Sequence, residues 1–178
     1  EFMVDGQEGV REPLGLSGNR LEVNVHVITG AVTSAQNIVK SVNRAGLDVV
    51  DIILQPLASS EAVLSQEERE LGVVMVDLGG GTTDLAIFLD GSIRHSAVLP
   101  IGGQNLTKDL AIGLLTSQTE AERIKTQHGI SRTELVSGHQ VVQVPSVGDR
   151  PPRTFSRRDI AEILEPRVDE MFELVRRE

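Results

Sequence analysis

The residues best suited to chemistry lie in one short stretch, in which two aspartates flank three glycines and two threonines. The stretch reads DLGGGTTD, covers residues 77–84 and lies between the apolar runs VVMV and LAIF. Each glycine loses more backbone entropy on folding than any other residue, and a two-residue hairpin needs only one or two of them. Three in a row therefore indicate that a ligand approaches the backbone closely, as a phosphate does when amide groups cradle it.

Asp77 indicates which kind of anion site this would be. An aspartate beside a bound phosphate is repelled unless a cation lies between them, and Mg²⁺ binds through one or two carboxylates, waters and phosphate oxygens. The hydroxyl groups of Thr82 and Thr83 would add donors, and Asp84 would orient the loop or hydrogen-bond its own backbone. The pattern is neither the P-loop nor the dinucleotide fingerprint. A glycine-rich hairpin with a surface aspartate stays open as the alternative.

The composition limits the class of protein. The hydrophobic content of 39% and charged content of 24% are typical of a soluble globular chain. With four Phe and no Trp or Tyr, the core must consist of Val, Ile, Leu and Ala. The net charge of −9 argues against a nucleic-acid binder, because neutralising phosphates needs a basic face. The absence of cysteine excludes disulfides and thiolate metal sites.

The glycine stretch lies in a predicted region of alternating strands and helices. Residues 72–99 predict a three-stranded antiparallel meander, since a third apolar run follows the turn dipeptide Asp-Gly at 90–91. A helix is predicted to begin at the glycine pair 102–103. The next is predicted over 117–129, between a capping-box serine and a terminal glycine.

Further elements are predicted before and after this region. The alternation of LEVNVHVIT at 21–29 predicts a half-buried strand, and LDVVDIIL at 47–54 predicts a buried one. Helices are predicted over 33–46, with a capping box at its first residue, over 57–70, and from a cap at Ser156. The remaining predicted segments are a short strand and loop over 1–20 and a strand over 136–144. Together they indicate an α/β protein with mixed strand direction.

The glycine stretch and its flanks carry a resemblance to a known superfamily. Residues 77–111 look like the second phosphate loop of the ATPases that include actin, sugar kinases and heat-shock chaperones, with the strand and helix that follow it. Other segments resemble the bacterial cell-division FtsA family: PLGLSGNRLEVNVHVIT, QNIVKSVNRAGLDV, PLASSEAVLSQEERELG, ERIKTQHG and VPSVGDRPPR. The glycine loop alone indicates only the superfamily, whereas these collinear segments indicate the family within it.

The resemblance implies a fold and a division of the chain. The fold would be actin-like (ribonuclease H-like), with a mixed sheet and flanking helices, as a partial copy of a two-lobed ATPase. Residues 1–30 would end the inserted subdomain of the family and 31–70 would return to the first lobe. Residues 71–101 would form the phosphate-loop meander of the second lobe, and 102–178 the first part of its smaller subdomain. The family's first phosphate loop is not in this sequence, so we expect a piece of a longer protein that does not turn over ATP alone.

The resemblance also implies ATP and Mg²⁺ as ligands and a role for each matching residue. Asp77 would lie near Mg²⁺ through water. Gly102 and Gly103 would lie near the ribose and phosphates, and Glu122 and Lys125 would flank the nucleoside. A strand-to-helix turn and a surface ion pair are the structural alternatives for these two pairs. The residues that would cradle the terminal phosphates are Gly79, Gly80, Gly81, Thr82 and Thr83.

The implied partners are other division proteins. The C-terminal tail of FtsZ, the tubulin-like division protein, would bind the second lobe in the region Arg150–Arg177. Basic side chains there would steer an acidic peptide, with a solvated helix face as the alternative. They are Arg150, Arg153, Arg157, Arg158 and Arg167. The resemblance also implies self-association into filaments and contacts of the inserted subdomain with further division proteins. It further implies attachment to the cytoplasmic face of the inner membrane through a helix absent here.

Three other functions compete with an ATP-switched division protein. An ATP-dependent sugar or acetate kinase would share the glycine loop but would need a small-substrate pocket. A chaperone or a pilus-assembly protein of the same superfamily would share the glycines but not the QEERELG and VPSVGDRPPR segments. A β-meander scaffold would bind no ligand at all.

Overall fold

The computed structural model describes residues 2–137, 140–146, 148 and 150–178 and divides into two compact units. The first unit comprises Glu1–Val76 and Leu85–Ser96, and the second comprises Asp77–Asp84 and Ala97–Glu178. No helix among the described residues is both long and apolar enough to span a membrane.

The first unit opens with a small antiparallel sheet. Strand β1 (Phe2–Val4) lies between β2 (Gln7–Val10) and β3 (Leu21–Val23). Asp5 and Gly6 join β1 to β2 with φ angles of +49° and +83°, the left-handed pair that a tight hairpin turn requires. The prediction of a single strand near the start of the chain is therefore wrong, because this segment folds into a hairpin.

Three helices follow in the first unit. Ser65 caps the third of them: its hydroxyl accepts from the N–H of Glu68 at 3.3 Å, and the Glu68 carboxylate accepts from the N–H of Ser65 at 2.8 Å. This capping box divides the segment 57–70, so the prediction of one helix there is wrong. The first helix begins one residue before Thr33 and has no side-chain cap, so the predicted capping box at Thr33 is also wrong. The helices are α1 (Val32–Arg44), α2 (Gln55–Val63) and α3 (Gln66–Leu71).

Two predicted strands of the first unit do not form as expected. Of residues 21–29 only β3 is a strand, and residues 47–54 contain neither helix nor strand. Val50 is 99% exposed. Apolar alternation produces a strand only where a neighbouring strand accepts its hydrogen bonds and another surface covers one face. Other apolar residues of these segments are also exposed: Val25, Val27, Leu47, Ile52 and Ile53.

The predicted meander is confirmed. Strands β4 (Val73–Leu78), β5 (Thr83–Leu89) and β6 (Ser92–Leu99) form one sheet in that order. Their short connections cannot hold the long crossover that parallel neighbours need, so the strands are antiparallel. Asp90 and Gly91 have φ angles of +53° and +73° and form the predicted turn.

Each unit has its own apolar core. In the first unit, Met75, Ala86 and Phe88 are buried together, and the Arg69 guanidinium lies 5.8 Å from the centre of the Phe88 ring. The second unit also contains an ion pair that joins two helices: Arg167 of the last helix donates to the Asp109 carboxylate at 2.6 Å. The main core of the second unit contains Leu110, Leu114, Ala121, Ile124, Val142, Val144, Ile160 and Leu164.

The predicted helices of the second unit all form. They are α4 (Gly103–Gly113), α5 (Gln118–His128) and α6 (Arg157–Arg177), with a short 3₁₀ helix at Thr133–Leu135. Strands β7 (Val141–Val144) and β8 (Arg153–Ser156) pair antiparallel. The strand predicted over 136–144 is thus observed only as β7, and Gly138 and His139 lie outside the described residues. So do Val147 and Asp149 of the VPSVGDRPPR segment.

Candidate functional site

The glycine loop of the second unit is attached directly to the start of α4. Its turn is closed by a hydrogen bond from the N–H of Gly79 to the carbonyl of Thr82 at 2.9 Å. The N–H of Gly103 donates to the carbonyl of Gly79 at 3.0 Å, and the N–H of Gln104 donates to that of Gly80 at 2.8 Å. The first amides of α4 are thus bound to the loop, so they hold it in place and are not available to an anion.

Gly102 makes this close approach possible. A Cβ atom at Gly102 would lie 2.6 Å from the carbonyl oxygen of Gly79 and 2.7 Å from that of Gly80. Both distances are shorter than any tolerable contact, so the loop and the helix could not meet there with another residue type. A Cβ at Gly79 would likewise lie 2.9 Å from the carbonyl oxygen of Thr82. Gly79 and Gly102 are therefore required by the packing of the chain itself.

Gly80 and Gly81 differ from these two glycines. A Cβ at Gly80 would meet nothing closer than a side-chain atom of Gln104 at 3.7 Å, and one at Gly81 would meet nothing within 4 Å. Neither residue has a positive φ angle. Because neither chain packing nor backbone conformation requires glycine here, the two positions leave open space along the outer side of the loop.

The two threonines of the loop have different environments. The Thr83 side chain is fully buried, and its hydroxyl donates to the carbonyl of Ile101 at 2.7 Å. The Thr82 hydroxyl donates to the Asp84 carboxylate at 3.0 Å, and Asp84 is buried. Thr83 therefore anchors the loop from the inside, and Asp84 orients Thr82.

A polar network links α4 to α5 beside the loop. The Lys125 Nζ atom lies 2.7 Å from the Glu122 carboxylate and donates to the carbonyl of Gly103 at 3.0 Å and to the Thr107 hydroxyl at 2.9 Å. The Thr107 hydroxyl also contacts the Glu122 carboxylate. The hydrogen bonds from Lys125 and then from Thr107 hold the pKa of Glu122 below its ordinary value.

These residues surround one concave pocket of about 640 Å³. Of the residues predicted to bind a nucleotide, it is lined by Gly80, Gly103, Glu122 and Lys125. The other predicted residues, Asp77, Gly79, Gly81, Thr82, Thr83 and Gly102, do not line it, although most of them belong to the loop or support it. The remaining lining residues were not predicted from the sequence: Gln104, Thr107, Lys108, Gln118 and Thr119. Thr107 stands one helical turn after Gly103, a spacing from which its place beside the pocket could have been inferred.

Asp77 lies half-buried near the end of β4. No group of three or more His, Cys, Asp or Glu side chains among the described residues could hold a metal ion. A single carboxylate suits Mg²⁺ only when phosphate oxygens and waters complete its coordination.

Comparison with known sequences gives the family. The model described as "Cell division protein FtsA" matches residues 74–176, more than half of the chain, and that described as "SHS2 domain inserted in FTSA" matches residues 1–29. The chain belongs to the FtsA family. It is 54% identical to the FtsA of Pseudomonas aeruginosa over its whole length, covering 43% of that protein. It is 47% identical to the FtsA of Escherichia coli K12, again over its whole length, covering 42% of that protein. The chain thus spans about two fifths of the length of these relatives.

Solved structures give the fold. MreB5 of Spiroplasma citri bound to AMPPNP has a TM-score of 0.63 and 22% identity, over 83% of this chain and 47% of that one. The PilM–PilN type IV pilus biogenesis complex has a TM-score of 0.60 and 18% identity, over 80% of this chain and 34% of that one. The predicted actin-like mixed α/β fold and the resemblance to FtsA are therefore confirmed, and membership of the family sets aside the kinase and chaperone hypotheses.

Proposed function

We propose that this part of an FtsA protein holds the phosphates and the sugar of ATP on the outer side of the glycine loop. The observation that supports the proposal is that Gly80 and Gly81 are not required by the chain's own packing or conformation. Glycine destabilises an ordered loop relative to alanine. Its presence at both positions is accounted for by a ligand that approaches the backbone where a methyl group would otherwise stand.

The residues of the second unit fit such a ligand. Gly80 and Gly81 would cradle the terminal phosphates, while Gly79 and Gly102 support the loop from behind. The pocket beside it would accept the nucleoside between Gly103, Glu122 and Lys125. Asp77 would hold Mg²⁺ through water, and the ion would neutralise charge on the phosphates. The related fold of MreB5 was solved with AMPPNP bound, which is consistent with a nucleotide in this family of folds.

The decisive experiment is Gly81→Ala in a full-length FtsA that carries this sequence. The added methyl group has open space in the protein, so we expect the melting temperature without nucleotide to stay equal or rise slightly. We expect Mg–ATP affinity, measured by equilibrium titration, to fall by about tenfold or more, since each 1.4 kcal/mol is tenfold and the methyl group would displace a phosphate. Asp77→Ala should cause a comparable loss only when Mg²⁺ is present.

Gly148→Ala serves as the matched control, because its Cβ would also meet nothing within 4 Å and the residue lies outside the loop and the pocket. Its positive φ should cost some stability without changing affinity. Unchanged Mg–ATP affinity in Gly81→Ala would refute a phosphate cradle at this loop.

We also infer that the intact protein self-assembles and links FtsZ to the inner membrane, with ATP as the switch of assembly. Support for a peptide site in the second unit comes from a pocket of about 500 Å³ lined by Arg150 and Arg153. Arg153 also donates to the carbonyl of Leu114, and other arginines of the region make internal contacts as well. Arg157 donates to the carbonyl of His128, and Arg158 pairs with Glu162.

A further inference from the structure

Thr107 occupies the centre of the polar network beside the nucleotide pocket. It is only 7% exposed, and its hydroxyl lies within hydrogen-bonding distance of the carbonyl of Gly103 at 3.1 Å, of Lys125 Nζ at 2.9 Å and of the Glu122 carboxylate. One hydroxyl thus joins the start of α4 to two charged side chains of α5.

The number of donors and acceptors on the Thr107 hydroxyl determines in which of its hydrogen bonds it donates and in which it accepts. A threonine has one proton to donate and can accept through its lone pairs. An ionised carboxylate is a stronger acceptor than a carbonyl, so the proton goes to Glu122 in preference to Gly103. Lys125 has only donors, so Thr107 accepts from it. The hydroxyl therefore bridges the two opposite charges and fixes the position of both.

The hydrogen-bond donors of Lys125 can be matched to acceptors in the same way. Its ammonium has three N–H groups, and three acceptors surround it: the Gly103 carbonyl at 3.0 Å, the Thr107 hydroxyl at 2.9 Å and the Glu122 carboxylate at 2.7 Å. Every N–H of Lys125 thus has a partner within the protein. Lys125 holds the network together, and Glu122, whose side chain is half-exposed, is the group that it presents to the pocket.

We propose that Thr107 is a positioning residue of the nucleotide site, whose hydroxyl holds Lys125 and Glu122 in the arrangement that receives the nucleoside. The proposal rests on the proposed function of the pocket and names a residue that the sequence pattern had not indicated. Thr107 does not touch the nucleotide in this role: together with Lys125 it fixes the position of the Glu122 carboxylate, which is the group presented to the pocket.

The test compares Thr107→Val and Thr107→Ser in a full-length FtsA that carries this sequence, with Mg–ATP as the probe. Valine keeps the shape and removes the hydroxyl, so we expect affinity to fall by about tenfold, the size expected for a hydrogen bond to a charged group. Serine keeps the hydroxyl and should restore most of the affinity. The melting temperature without nucleotide shows whether each variant folds. If valine prevents folding, Thr107→Ala against Thr107→Ser isolates the hydroxyl instead.

A pH profile separates positioning from a general loss of structure. Lys125 of α5 and Thr107 of α4 contact the Glu122 carboxylate, and Lys108 of α4 lines the same pocket. Removing the Thr107 hydroxyl takes one donor from that carboxylate and so raises the pKa of Glu122. As pH falls, the affinity of Thr107→Val should begin to decline at a higher pH than that of the unsubstituted protein. The ratio of the two affinities cancels titration of the nucleotide's own phosphates.

A double-mutant cycle with Glu122→Gln completes the test. If Thr107 acts through Glu122, adding Thr107→Val to Glu122→Gln should cost much less affinity than Thr107→Val alone. Fully additive losses, or an unchanged affinity in Thr107→Val, overturn the positioning role while leaving the nucleotide site intact. Failure of the unsubstituted protein to bind Mg–ATP overturns the proposed function itself, and this role with it.

Discussion

The glycines around the site have two different structural roles. Gly79 and Gly102 allow the loop and α4 to approach within hydrogen-bonding distance, since a Cβ at either would overlap a carbonyl oxygen. Gly80 and Gly81 have room for a side chain and no left-handed backbone. We therefore expect alanine at the first two positions to disrupt the loop, and alanine at the second two to disturb only what binds against it.

Glu122 should contribute to stability in a pH-dependent way. The hydrogen bonds from Lys125 and Thr107 lower its pKa in the folded state. The contribution of Glu122 to the free energy of unfolding is therefore fully present above the unfolded-state pKa of about 4.3. It is lost as pH falls through the lower folded-state pKa. We expect Glu122→Gln to lower the free energy of unfolding at pH 7 and to have less and less effect as pH falls below the unfolded-state and then the folded-state pKa, since the carboxylate becomes protonated in both states.

Denaturant unfolding at several pH values, followed by circular dichroism, measures this difference. Glu134→Gln provides the same substitution at an exposed carboxylate of the same unit and serves as the comparison. A Glu122→Gln difference that stays constant from pH 7 to pH 3 would contradict the argument.

At the scale of elements, the helices of this chain start in different ways. α3 and α6 begin with reciprocal capping boxes, and the serine before α5 accepts from the N–H of Glu120. α4 has no serine or threonine cap and instead donates its first amides to the carbonyls of the glycine loop. The start of α4 is therefore coupled to the loop, so a conformational change in either one must alter the other.

The cap of α6 gives a prediction at this scale. The Ser156 hydroxyl accepts from the N–H of Asp159 at 3.1 Å, and the Asp159 carboxylate accepts from the N–H of Ser156 at 2.7 Å. Ser156→Ala should lower the free energy of unfolding by about 1 kcal/mol, because amides at the helix start lose their acceptor. Thermal unfolding followed by circular dichroism measures the loss. Ser156→Asp keeps an acceptor at the cap and should recover most of it; equal losses in both variants would exclude capping as the cause.

At the scale of the whole molecule, the first unit exposes much of the apolar surface that its sequence would bury. Residues 47–54 contain no strand, and α1 has no buried residue. The chain spans about two fifths of the length of its relatives. We expect the remaining length of an FtsA to supply the strands and surfaces that these segments require, since isolated strands are not stable in water.

Charge distribution over the whole chain bears on the proposed FtsZ partner. With a net charge of −9, the chain as a whole should repel an acidic tail, so attraction must come from a local basic surface. In a full-length FtsA, Arg150→Glu should weaken binding of an FtsZ tail peptide by about tenfold at low salt, mainly through a slower association rate. Surface plasmon resonance at two salt concentrations measures this.

Arg158→Glu serves as the control for that experiment, because Arg158 pairs with Glu162 on α6 and lies outside the pocket lined by Arg150. Equal losses in the two variants would indicate a general charge effect and would reject the pocket as the docking site.

Much of the second unit follows from local signals. The position of the glycine loop between two strands, the turn at Asp90 and Gly91, and the cap serines Ser117 and Ser156 are predicted correctly because each depends on residues within a few positions of one another. The capping box predicted at Ser117 forms only in part, because the Glu120 carboxylate accepts from Arg123 instead. The strand predictions at 21–29 and 47–54 failed for the opposite reason: a strand needs partners distant in sequence, and local apolar alternation does not reveal whether they are present.

The sequence by itself determined the family, the order of most elements and the loop around which a nucleotide site would be built. These depend on residue types at short spacings, which a single chain carries in full. Only the tertiary structure decided that Gly79 and Gly102 serve packing while Gly80 and Gly81 leave space, and that Thr107 joins Lys125 to Glu122. The physical reason is that these roles depend on atoms of α4 and α5 and of the loop that meet only when the chain folds.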